Sequence, residues 1–178
     1  MRVTVVIPTY DEAGSIARVL DEIPASLVTE VLVIDAGSTD GTQEIAAAHG
    51  ARVIVEPRRG YGRACLTGLA AANNPDTVVF LDGDYSDRPR ELGRLIDPIR
   101  EGRADVVLGS RLAGGLVPGA MLGYRVIEVP VSYHPRIGVS KISGTLRGSI
   151  GAAWCILAGI LRNRLRAATS PAEPGPAS

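Results

Sequence analysis

Lysine is almost absent: of 19 basic side chains, only Lys141 is not an arginine. Cysteine is scarce as well, and both Cys65 and Cys155 fall in apolar, helix-like contexts. Met1 leads straight into VTVVIP with no secretory signal, so a reducing, cytoplasmic location is expected. Formal net charge is zero, which argues against a generic nucleic-acid binder. A spanning hydrophobic segment is missing too. The uncharged run from Ile150 to Leu161 covers twelve residues, roughly 18 Å of helix against a hydrocarbon core of ~30 Å. Two nucleotide signatures are absent: strand one ends in Pro8-Thr9-Tyr10 rather than G-x-G-x-x-G, and there is no G-x-x-x-x-G-K-[ST].

What is present is enough apolar material for one core, 46% of 178 residues, so one main domain is expected. The zero charge hides an asymmetry. Residues 1–119 hold 12 Arg against 17 Asp and Glu, whereas residues 120–178 hold 7 Lys and Arg against 2 Glu. The two parts are therefore expected to do different jobs. Apolar β-branched runs (VTVVIP, EVLVID, RVIVEP, TVVFLD, DVVLGS) alternate with helix-like stretches. The helices are expected from about Gly14 to Glu22, after Asp40, from about Gly62 to Asn73, and after Pro89. Such alternation with short loops predicts an α/β fold around a largely parallel sheet.

Ligands of such sheets bind beyond the carboxyl ends of the strands. Here those ends read PTYDE, DAGSTD, EPRRGYG, LDGD and GSR, which gathers acids, glycines and arginines on one edge. Carboxylates at strand ends can accept from a base N–H or from ribose hydroxyls, and a close pair can hold a divalent cation against a diphosphate. Blander roles are open for some of them. Asp40 can cap the helix it precedes, Asp87 reads as a solvated carboxylate, and His134 as a loop residue.

VVIPTYDE, VIDAGSTDGT, RGYGRACLTGLAAA, FLDGDYSDRP, DVVLGSR and VPVSYHPRIGVSK occur in this order. Together they resemble family 2 glycosyltransferases of GT-A fold, in the branch of dolichyl-phosphate mannose synthases and polyprenyl-phosphate glycosyltransferases. The likeness covers roughly residues 3–160. It implies a Rossmann-like, mixed but mostly parallel sheet flanked by helices, and an inverting transfer from a UDP- or GDP-sugar to a polyprenyl or dolichyl phosphate. By the same resemblance Pro8, Tyr10 and Glu12 line the base and ribose pocket, and Asp35 binds the base. Asp82, Gly83 and Asp84 form the D-x-D turn, whose two acids hold Mg²⁺ or Mn²⁺ with the donor's diphosphate. A Ser-Lys pair, Ser140 and Lys141, belongs to a loop that closes over phosphates, where an ammonium acts as a point charge; Arg111 and Arg136 can grip oxygens bidentately. Asp84, Arg111, Arg136 and Lys141 are the expected catalytic set. An acceptor phosphate is already anionic, so cation and arginines stabilising the leaving diphosphate carry the chemistry.

The chain departs from the family pattern twice. Ala36 stands where the family repeats the acid of V-D-D-G-S. Only LVPGAML separates Gly115 from Gly123, where the family runs through a long segment facing the acceptor. A donor-binding protein with little or no transferase activity is therefore the alternative reading. A sugar-nucleotide pyrophosphorylase is disfavoured, because the glycine-rich signature after strand one is absent.

Residues 1–141 are expected to form the nucleotide-sugar-binding domain and residues 142–168 an apolar helix. The tail TSPAEPGPAS, residues 169–178, is expected to be disordered. Gly144, Gly148 and Ala152 give that helix a small-residue face. It can pack in the core, on a second copy, or on the inner face of a membrane with its arginines on phosphates. A homodimer is the expected assembly.

Overall fold

The computed structural model of the chain describes residues 1–110 and 123–137. They lie in a first compact unit spanning Met1–Lys141; a second unit, Ile142–Ser178, lies outside the described residues. Outside them also fall Arg111, Ser140, Lys141, the segment around Gly115, and the expected C-terminal helix and tail.

Strands and helices alternate as the apolar periodicity requires. In chain order they are β1 (Val3–Thr9), α1 (Ile16–Glu22), β2 (Glu30–Asp35), α2 (Thr42–Ala48), β3 (Arg52–Val55), α3 (Tyr61–Ala71) and β4 (Thr77–Phe80). A 3₁₀ turn (Pro89–Glu91) then leads into α4 (Leu92–Arg100), β5 (Val106–Ser110) and β6 (Val126–Pro130). Four strands form a sheet in the order β3-β2-β1-β4, and β5 pairs with β6 in a second, two-stranded sheet. Every described pairing is parallel. The register sets Thr9 beside Asp35 and Asp35 beside Val55, so three strand ends are level on one edge.

Side chains of a strand alternate between faces, and β1 uses both. Val3, Val5 and Ile7 point to one layer with Val33, Ile16 and Val19 of α1, and Leu92 and Ile96 of α4. Val6 points to the other with Leu32, Ile34 and Ala64 of α3. Because both faces are covered, β1 and β2 read as continuous apolar runs. At about 1.5–3 kcal/mol for each fully buried aliphatic side chain, these layers hold the strand ends in place. α3 lies tight on its layer: a Cβ at Gly68 would come within 2.4 Å of Val6 Cγ1.

Local contacts set the starts of two helices, the first of them two residues later than expected. α1 begins at Ile16, after Gly14, because Ser15 Oγ donates to Glu12 O (3.1 Å) and to Gly83 O (2.8 Å), holding residues 13–15 as a turn. α2 begins at Thr42 after Gly41, whose φ of +95° suits glycine. Asp40 still serves that helix, since its Oδ1 accepts from Thr42 N at 3.1 Å. β6, which ends in the EVP block, had no counterpart in the sequence reading.

Candidate functional site

The loops after β1 and β2 are stitched to each other by short polar side chains. Asp11, in a left-handed conformation (φ +51°), donates its N–H to Ser38 Oγ at 2.8 Å, and its Oδ1 accepts from Thr39 N at 3.0 Å. Glu12 N donates to Thr42 Oγ1 at 2.8 Å, and Ala13 N to Asp40 Oδ2 at 3.0 Å. Asp35 anchors the junction. Its Oδ1 accepts from Gly37 N (3.0 Å), Ser38 N (2.8 Å) and Gln43 Nε2 (2.7 Å), and its Oδ2 from the hydroxyls of Thr9 (3.0 Å) and Ser38. The residue is 0% exposed. A carboxylate has about four lone-pair sites, and here five protein donors share them. Asp35 thus stands at the strand end as expected, with both carboxylate oxygens bonded to protein donors.

After β3, Glu56 gathers the next loop. Its carboxylate receives Arg58 Nε (2.8 Å) and Nη2 (3.0 Å), Arg58 N (3.1 Å) and Thr67 Oγ1 (2.8 Å). The Arg58 and Thr67 bonds hold its pKa down to about 2 from an ordinary 4.5. A depressed carboxylate adds stability that is complete above the unfolded value and lost as pH falls toward the folded one. The thermal midpoint of the protein should therefore fall between about pH 4.5 and 2. Glu56→Gln should melt lower at pH 7 and show a flatter acid limb; an acid limb identical to the wild type in calorimetric scans would refute this. Arg59, beside this pair, lies over the Tyr10 ring, 4.2 Å from its centroid, and donates to the Tyr10 hydroxyl.

The turn after β4 carries the two acids. Gly83 is buried against β1, where a Cβ would meet Thr9 Cγ2 at 3.0 Å and Pro8 O at 3.4 Å, so a larger residue would press on β1. Asp82 N donates to Asp87 Oδ2 at 3.1 Å, and Ser86 N to Asp84 Oδ1 at 2.9 Å. Asp87, read from sequence as solvated, instead closes the turn. Burial, then the charges of Asp87 and Asp84, push the Asp82 pKa up to about 6, while the Tyr61 hydroxyl and Arg136 pull it down.

The segment after β6 lies along this turn. His134 N donates to Ser86 O (2.9 Å), Ile137 N to Asp84 O (2.9 Å), and Arg136 Nη1 stands 3.6 Å from Asp84 Oδ2. His134 is a loop residue, as expected, and stacks on Tyr85 with ring centroids 5.2 Å apart. The turn therefore joins three carboxylates to one half-exposed arginine, an excess of negative charge that a cation would offset. Among the described residues no three His, Cys, Asp or Glu side chains form a metal cage. Two carboxylates fit Mg²⁺ or Mn²⁺ where phosphate oxygens and water complete the shell.

Of the residues singled out from sequence, Pro8, Tyr10, Glu12, Asp35, Asp82, Gly83, Asp84 and Arg136 fall on the loops and strand ends just described. Arg111, Ser140 and Lys141 lie outside the described residues. Sequence reasoning missed Thr9, Gln43, Glu56 and Thr67. Their signal was faint: Thr9, Gln43 and Thr67 are single polar side chains that donate to the carboxylates of Asp35 or Glu56, and Glu56 is one more acid after a strand.

The profile of the family described as glycosyl transferase family 2 matches residues 4–165. The chain belongs to that family. An uncharacterized glycosyltransferase of Mycobacterium tuberculosis is 35% identical over 206 aligned positions, covering 83% of this chain and 93% of the relative. Since this chain has 178 residues, the alignment includes positions at which it has none. The undecaprenyl-phosphate mannosyltransferase of Micrococcus luteus is 34% identical over 164 positions, 75% of this chain and 65% of the relative. Among solved structures, the glucosyl-3-phosphoglycerate synthase of M. tuberculosis with Mn²⁺, UDP and glucosyl-3-phosphoglycerate superposes with a TM-score of 0.50 at 36% identity. The match covers 55% of this glycosyltransferase chain and 39% of the synthase. A structure of the same synthase holds Mg²⁺ and UDP. The described sheet and its helices have the fold of these enzymes.

Proposed function

We propose that this glycosyltransferase moves a sugar, with inversion, from a UDP- or GDP-sugar to a polyprenyl phosphate, using Mg²⁺ or Mn²⁺ held by Asp82 and Asp84. The observation that carries the reading is the acid-rich turn after β4, where burial and two neighbouring carboxylates raise Asp82 and Arg136 stands 3.6 Å from Asp84. A bound cation supplies positive charge to the leaving diphosphate. Pro8, Tyr10 and Glu12, level with that turn, take the base and ribose. Arg136, with Arg111, Ser140 and Lys141, takes phosphate oxygens. Asp35 shapes the base-side loop through its five donors instead of meeting the base itself.

For the acceptor, support comes from the mannosyltransferase relative, which acts on undecaprenyl phosphate, and the synthase relative offers phosphoglycerate as a competing choice. Both are phosphorylated, which suits the basic residues after β6. The test is transfer of radiolabelled sugar by pure protein from UDP-glucose or GDP-mannose, with Mn²⁺, to undecaprenyl phosphate or to phosphoglycerate. Labelled lipid supports the proposal; labelled phosphoglycerate alone would move the acceptor, and no product from any donor would reject transfer.

A second reading rests on the seven residues between Gly115 and Gly123 and on the relative's extra aligned positions. A chain short there binds donor without transferring it, or takes the missing wall from a second copy. Donor binding without product favours the first case. Product formation by a dimer that is lost on dilution to monomer favours the second. Among the described residues no helix is long and apolar enough to cross a membrane.

A further inference from the structure

Tyr85 directly follows Asp84, and the site as read so far gives it no role. Its φ of +62° puts it in the left-handed region, where a bulky side chain is an outlier that the surrounding structure must hold in place. Two contacts do so. The hydroxyl donates to Glu22 Oε1 at 2.7 Å, and Glu22, the last residue of α1, is itself paired with Arg90 Nη2 at 3.1 Å. The ring stacks on His134, with centroids 5.2 Å apart and planes 9° from parallel.

That stack sits in the middle of a longer seam. Residues 132–137 lie along the turn and are fastened through their backbone: Ser132 N donates to Glu91 Oε2 (3.0 Å), His134 N to Ser86 O (2.9 Å) and Ile137 N to Asp84 O (2.9 Å). Pro135 and Arg136 bridge the last two of these bonds, and both are exposed. Arg136 Nη1 stands 3.6 Å from Asp84 Oδ2, farther than a hydrogen bond reaches. A loose ion pair to an exposed side chain contributes little, so the backbone sets where Arg136 points. Two residues before it, the His134 ring holds that backbone against Tyr85. An arginine that grips diphosphate oxygens with both arms of its fork needs such a fixed base, because the planar guanidinium has to meet them in one geometry.

We infer that Tyr85 is a positioning residue: its ring, held between Glu22 and His134, sets the segment after β6 so that Arg136 faces the diphosphate of the bound nucleotide. The inference rests on the phosphate role given to Arg136 above. Tyr85 acts through His134 and Arg136, not by contact with the donor or the cation.

The test is calorimetric titration of UDP, GDP, uridine and guanosine, with Mn²⁺, into wild type and variants; the nucleosides lack the phosphates that Arg136 would meet. Arg136→Ala should weaken whichever diphosphate binds by about tenfold, the lower end for hydrogen bonds to a charged group, and leave the matching nucleoside unchanged. Tyr85→Leu removes the ring and should reproduce that pattern at about 3- to 10-fold, since a displaced guanidinium still acts through its charge. On an Arg136→Ala background Tyr85→Leu should weaken the diphosphate no further. An additive loss overturns the inference, as does an equal fall in nucleoside affinity, which is what a merely structural role would give. Tyr85→Phe keeps the ring on His134 and loses only the bond to Glu22, so it must retain more diphosphate affinity than Tyr85→Leu; equal values overturn the inference. Should Tyr85→Leu fail to fold, His134→Ala removes the other half of the stack and leaves Tyr85 in its turn. It should give the same loss for the diphosphate alone, and unaltered affinity overturns the inference. A wild type that binds neither UDP nor GDP, or an Arg136→Ala variant that binds them as tightly as wild type, removes the phosphate role of Arg136 and takes this inference with it. A diphosphate weakened by Arg136→Ala, beside unaltered Tyr85→Leu and His134→Ala, defeats the inference alone.

Discussion

Asp84→Ala should abolish the Mn²⁺ dependence of nucleoside-diphosphate binding while leaving the fold intact. The fold should survive because Asp84 contributes little to it: one Ser86 N–H at 2.9 Å, and a half-exposed Arg136 at 3.6 Å. Long, partly exposed ion pairs of that kind contribute about 0–1 kcal/mol. The cation, by contrast, has Asp82 and Asp84 as its anionic side chains on this turn, and removing one halves the charge that holds it. We expect the wild type to bind UDP or GDP about 100-fold more tightly with Mn²⁺ than with EDTA, a difference of about 2.8 kcal/mol. The variant should show the EDTA value under both conditions. The variant also loses one of the charges that raise Asp82, so Asp82 becomes easier to ionise. Titration of the wild type decides the matter, and equal affinities with Mn²⁺ and EDTA would remove the cation from this site.

The alternation of strands and helices was legible because both faces of β1 and β2 are covered, which writes VTVVIP and EVLVID as unbroken apolar runs. The edge carrying the site was legible for a related reason: in parallel sheets the carboxyl ends of the strands share one side, so polar residues after each run must meet there. What sequence did not carry is which of those polar residues face each other. Glu56 and Thr67 bond across a loop whose register depends on how α3 seats on Val6 through Gly68. β6 was hidden because its pairing with β5 is non-local, and EVP ends in a proline that fits a strand's last residue as well as a loop. The same limit explains Asp35 and Asp87. An aspartate at a strand end looks identical in sequence whether its oxygens face a ligand or its own loop.

For Asp35 the two roles predict different measurements. If the carboxylate met the base, Asp35→Ala would weaken UDP or GDP and leave the melting temperature unchanged. The five hydrogen bonds on its carboxylate lead us to expect the other result. Removing the carboxylate strands the N–H groups of Gly37 and Ser38, the Gln43 amide and the hydroxyls of Thr9 and Ser38 around a buried void. An unsatisfied buried donor costs about 1–3 kcal/mol, and hydrogen bonds to a charged group contribute about 1.5–3 kcal/mol each. Losses within one network do not add in full, so a total of about 3–5 kcal/mol is expected, comparable to breaking a buried charged pair. In a protein of this size each kcal/mol shifts the melting temperature by about 2–4 °C, so Asp35→Ala should melt about 6–20 °C lower. Asp35→Asn should lose less. Its remaining oxygen can serve the backbone N–H groups, and the Thr9 and Ser38 hydroxyls can rotate to accept from the new amide. Nucleotide affinity should fall in parallel with stability, because Ser38 also holds Asp11 N and with it the loop bearing Tyr10 and Glu12. A melting temperature within a degree of wild type, with UDP or GDP weakened tenfold or more, would return Asp35 to the base.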